Sequence, residues 1–75
     1  MNTKELNECI NGCTWSEVIK DYDYEDLKQL ATELLSTEGI HEELVMLGVR
    51  VNASNLSKRA VRSILEITGT IEEDD

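Results

Sequence analysis

The groups with chemistry to offer in this 75-residue chain are two cysteines, one histidine, five serines and sixteen carboxylates. Cys9 and Cys13 stand close enough in sequence to share a metal. A structural zinc ion takes four N or S ligands, usually as two such pairs. The chain offers only Cys9, Cys13 and His41, so no metal centre is expected within one copy. A disulfide, or a zinc site shared between two copies, is the alternative use of the thiols. Leu6, Cys9, Ile10 and Cys13 fall at i, i+3, i+4 and i+7, so packing on an apolar helical stripe is the expected role of both cysteines. Free thiols fit a reducing, cytoplasmic setting.

Nucleophilic catalysis has no constellation to rest on. Ser16, Ser36, Ser54, Ser57 and Ser63 lack the glycine-flanked elbow of a nucleophile. His41 stands alone near the start of a helix. No glycine-rich phosphate loop is present. Paired carboxylates are plentiful, but an 8.5 kDa body is too small for the desolvated cleft that acid–base chemistry needs. The chain is therefore read as a non-enzyme, with no cofactor.

The elements that position these groups are expected to be helices. Proline is absent and glycine occurs four times, which suits short helices joined by tight turns. A first helix is expected over residues 3–11, ended by Gly12. Thr14-Trp15-Ser16-Glu17 has the form of a capping box and starts a second helix that stops near Asp21 or Tyr22. Asp23 is the N-cap of a third helix, with Asp26 in its first turn. Leu27, Leu30, Ala31, Leu34 and Leu35 form the clearest stripe in the chain. A fourth helix over residues 40–47 should face Ile40, Leu44 and Leu47 inward, with Val45 and Met46 broadening its buried face. The last helix starts at Ser57, with Leu56 and Val61 as a hydrophobic staple, and ends at Gly69.

The expected fold is all-α, a compact bundle of four to five short helices spanning residues 1–70. Residues 71–75 are expected to form an acidic tail, with Ile71 able to fold back onto the body. The predicted core is Leu6, Ile10, Trp15, Val18, Ile19, Leu27, Leu30, Leu34, Leu44, Leu47, Val61, Ile64 and Leu65. A core of that size leaves thin stability. A homodimer contact is expected at Val45 or Met46 if those side chains point outward.

Charge then narrows function. The net charge is −9, unevenly placed. Residues 1–48 hold three cations against eleven acids, residues 49–65 hold four cations and no acid, and the last ten hold five acids. Glu17, Asp21, Asp23, Glu25 and Asp26 gather on the second and third helices and the turn between them, interleaved with Tyr22 and Tyr24. Such a surface complements a basic groove on a partner. The first functional reading is a small acidic regulatory protein that binds a protein partner with a basic surface. By analogy with the size and charge of phage inhibitors, that partner is a nucleic-acid-handling protein.

The basic island carries the alternative. Leu44-Val45-Met46-Leu47-Gly48-Val49, followed by Leu56-Ser57-Lys58-Arg59-Ala60-Val61-Arg62-Ser63-Ile64-Leu65, resembles the helix-turn-helix segments of serine recombinases. Leu56 stands where those segments usually carry an aromatic residue, and the turn from Gly48 to Ser57 is longer than in compact repressors. The resemblance implies duplex DNA as partner. Arg50, Ser57, Lys58, Arg59, Arg62 and Ser63 would face the major groove or its flanking phosphates, with Arg59 and Arg62 on the bases. Four cations against an anionic body make such binding weak for a single copy. The chain shows neither a membrane-length apolar run nor a secretory leader pattern, so no membrane role is expected.

Overall fold

The computed structural model describes residues 2–52 and 54–73, and five helices account for most of them. They are α1 (Thr3–Ile10), α2 (Trp15–Asp21), α3 (Tyr24–Leu35), α4 (Ile40–Met46) and α5 (Lys58–Ile67). The all-α bundle is as expected. None of the described helices is long and apolar enough to cross a membrane. Ala53, Asp74 and Asp75 lie outside the described residues, so the end of the expected acidic tail is not covered.

Local signals fix most helix starts. Asn2 caps α1, its side-chain oxygen accepting from the Glu5 N–H at 2.8 Å. Ser57 caps α5 and accepts from the Ala60 N–H at 3.2 Å. A cap of this kind is worth about 1 kcal/mol. Thr14 and Asp23 are the N-cap residues of α2 and α3, but neither side chain makes the cap bond. The Thr14 hydroxyl instead donates to the Glu17 carboxylate at 3.2 Å. Gly39 precedes α4 with φ of 89°, a left-handed conformation that side chains resist.

Helix α3 lies at the centre, packed against α1, α4 and α5. It buries Leu27, Leu30 and Ala31 on one stripe. Helix α5 buries Ala60, Val61, Ile64 and Leu65 opposite it. Leu6, Ile10, Val18 and Leu44 close the sides. Three residues outside the helices complete the core: Val49, Leu56 and Ile71 are each at least nine-tenths buried. Val49-Arg50-Val51 alternates in and out, as an extended segment should.

The chain end is tied to the body further along than the sequence suggests. After Gly69 turns the backbone at φ of 75°, the Ile71 side chain enters the core. The Glu72 N–H then donates to the Cys13 carbonyl at 2.8 Å. Thr70, the buried polar residue of this stretch, meets the Thr68 hydroxyl at 3.0 Å.

Several expectations about side-chain direction fail. Leu47 is the C-cap of α4 and 55 % exposed, not inward. Val45 and Met46 do not broaden a buried face but stand 62 % and 86 % exposed. The cause is geometric: α4 packs on α3 and α5 from one side, and successive helical residues turn by about 100°. Leu44 takes the buried direction, so Val45 and Met46 turn away from the core, while Leu47 is carried outward as the C-cap, past the last helical residue. Cys9 is likewise exposed, because α1 faces α3 with Leu6 and Ile10 alone, whereas Cys13, beyond the end of α1, is half-buried and packs against the core as expected. Of the other expected core residues, Trp15 and Leu34 are half-buried and pack against the core, and Ile19 is half-buried.

Candidate protein-interaction surface

The residues predicted to bind separate into those that face water and those that hold the fold together. Glu17 is exposed in the first turn of α2, and Asp21, Asp23 and Glu25 are exposed around the end of α2 and the start of α3. Asp26 is half-buried, its backbone N–H bonded to the Asp23 carbonyl at 3.1 Å. The two tyrosines turn inward. The Tyr24 hydroxyl donates to the Leu56 carbonyl at 3.2 Å, and Lys58 lies over its ring at 5.9 Å. Tyr24 thus pins the start of α3 to the segment leading into α5. Tyr22 is half-buried, with the thiols of Cys9 and Cys13 as neighbours.

Burial is the largest single cause that pushes both phenols above their ordinary value of 10.0. The neighbouring Cys9, Cys13 and Asp21 add to the rise at Tyr22, and Glu25 adds to it at Tyr24. Below about pH 10 the folded and unfolded chains both keep these protons. Above it the unfolded phenols ionise first, so unfolding releases protons and stability falls as pH rises. Titration of phenolate absorbance should therefore show both tyrosines ionising later in the folded chain than in denaturant. Coincident curves would contradict the burial described here.

The basic island is close to the acidic face but not spent on it. Arg50, Ser57, Lys58 and Arg59 are exposed, and Ser63 is half-buried. Arg62 is engaged within its own helix, its Nε lying 3.3 Å from the Glu66 carboxylate. Lys28 of α3 donates to the Asn55 side chain at 3.1 Å, so the two regions meet through a cation–amide hydrogen bond and a cation–ring contact. The connection from Leu47 to Ser57 is far longer than the roughly 3–4 residues of a compact helix-turn-helix turn.

Val45 and Met46, the expected place of a homodimer contact if they point outward, do point outward, and Leu47 is exposed beside them. Val45, Met46 and Leu47 form an apolar collar around the end of α4, the large hydrophobic side chains that the described residues leave in water. Met46 and Leu47, with Glu43 and Ile67 of α5, line an open groove of about 220 Å³. A second groove of about 350 Å³ runs between α1 and α3, lined by Thr3, Glu25, Lys28, Gln29, Thr32 and Glu33. Its lining residues are all polar or charged, and two of them satisfy each other, the Thr3 hydroxyl donating to the Glu33 carboxylate. The signal for the collar was in the sequence: Leu44 to Leu47 is one apolar run on a short helix, more than a single buried face can use.

No group of three or more metal-ligating side chains forms among the described residues. His41 is exposed in the first turn of α4. Every buried side-chain N or O among the described residues has a hydrogen-bond partner, so none is left aimed at a ligand. Compared with protein-family models, with characterised proteins and with solved structures, the chain matches none of them.

Proposed function

We propose that this chain is a non-catalytic regulatory module that acts by binding a protein partner with a basic surface. The observation that carries this reading is the collar of Val45, Met46 and Leu47, turned to water in a small domain that buries its other large aliphatic side chains wholly or in part. Contiguous exposed apolar surface costs solubility and marks docking sites. The exposed acids Glu17, Asp21, Asp23 and Glu25 supply long-range attraction for a cationic partner, which raises association rate more than final affinity. Two free cysteines suit a reducing, cytoplasmic setting.

The test separates anchor from steering. A protein captured with the wild-type chain is identified, purified and titrated against two variants. Met46→Glu should speed dissociation and weaken binding at least about tenfold, as loss of a buried anchor does. Reversal of Asp21, Asp23 and Glu25 to Lys should slow association and flatten its salt dependence. Unchanged binding by both variants would overturn the reading.

A second reading rests on the exposure of Arg50, Lys58 and Arg59. If the chain binds random duplex DNA with a log–log salt slope of about −3 to −4, function passes to this island, as its resemblance to recombinase segments implies. Arg59→Glu should then abolish that binding.

A further inference from the structure

The partner suited to the α4 end can be narrowed by shape and charge. This step rests on the protein-binding reading above. The groove between Met46, Leu47, Glu43 and Ile67 holds about 220 Å³ and is open. Small-molecule pockets are enclosed and typically about 300–1,000 Å³. A side chain carried on a larger partner fits this groove better than a free ligand. Its floor is apolar, from Met46, Leu47 and the half-buried Ile67.

The rim is acidic. Between Lys28 and Arg50 the sequence holds four acids and no lysine or arginine. Two of those acids, Glu42 and Glu43, are exposed on α4 itself. A second copy of this chain is therefore a poor occupant. A two-fold contact sets the patch against a copy carrying the same two exposed carboxylates, and α4 holds no lysine or arginine to offset the repulsion. A partner strand is poorly served too, because no β-sheet edge is present among the described residues to pair its backbone. A helix satisfies its own backbone and needs only side-chain complementarity.

We propose that the α4 end is a seat for a cationic amphipathic helix. An apolar side chain of that helix enters the groove between Met46, Leu47 and Ile67, and its flanking lysines or arginines face Glu42 and Glu43.

The probe is a labelled helical peptide of leucine and lysine only, about four turns long, with leucines at i, i+3, i+4 and i+7. Its counterpart carries glutamate for lysine. Binding is followed by anisotropy and by backbone amide shifts of the full chain. The expected result is saturable binding of the lysine peptide, with shifts centred on Met46, Leu47 and Ile67. Met46→Glu and the pair Glu42→Lys with Glu43→Lys should each weaken it by about tenfold or more. Met46 is 86 % exposed, so its variant should fold, and circular dichroism checks this.

Equal binding of both peptides at α4 would overturn the charge complementarity while leaving an apolar docking site. Shifts confined to Asp21, Asp23 and Glu25 would overturn the seat while leaving an acidic binding face. Concentration-dependent dimerisation that Met46→Glu abolishes would make a second copy the occupant and overturn the proposal. Failure of the lysine peptide to bind at all would overturn it as well.

Discussion

Leu65→Ala is expected to remove about 2–5 kcal/mol of stability, the range for deleting a fully buried leucine side chain. Leu65 is 0 % exposed on α5, in the face that packs against α3. A domain of 75 residues holds only about 4–11 kcal/mol in total. The substitution therefore takes a large share of it. Urea titration followed by circular dichroism reads this as a lower midpoint with an unchanged slope. Val45→Ala is the matched control: Val45 is 62 % exposed, so its loss should stay within roughly 0.5 kcal/mol. A Leu65→Ala variant as stable as the control would mean that α5 is not packed as described.

Ile71→Asp should be comparably damaging, although it lies beyond the last helix. Ile71 is 3 % exposed, and its N–H donates to the Leu65 carbonyl at 3.2 Å. An aspartate there is a buried charge with no cation placed to meet it, a defect costing about 3–5 kcal/mol. For a domain of this size that corresponds to a fall in melting temperature on the order of 15–30 °C. Relief is available if the segment peels off, but peeling exposes the apolar surface that Ile71 covers and breaks the Glu72 to Cys13 bond. A melting temperature within a few degrees of wild type would show that the segment contributes little.

These two residues illustrate what the sequence made legible. The stripe of Val61, Ile64 and Leu65 after the Ser57 cap is a local pattern, and the structure buries all three. Caps, glycine turns and helical periods act within one or two turns, so they can be read from neighbours in the chain. The direction taken by α4 is different. The run from Leu44 to Leu47 has no polar gap to mark a face, so only the positions of α3 and α5 decide which residue is buried. Tyr24 makes the same point from the polar side. Set among acids, it looks like an interface residue, yet its hydroxyl partner lies 32 positions away at Leu56. Val49 sits outside any helical period and enters the core through tertiary placement, whereas Leu56 stands at the staple position before Ser57 and Ile71 is the apolar residue able to fold back after Gly69. The acidic face was legible as composition, whereas the collar became visible once α4 had a direction.

The bond from the Glu72 N–H to the Cys13 carbonyl closes a loop over most of the sequence, from just before α2 to beyond α5. Closing so large a loop carries the entropy cost of long-range contact, recovered only after the helices between its ends have packed. It should form on the downhill side of the folding barrier. Weakening it with Ile71→Ala then hastens unfolding and leaves the refolding rate nearly as it was. The final strap would act as a latch on the finished bundle, setting how long a molecule stays folded and not how quickly it gets there.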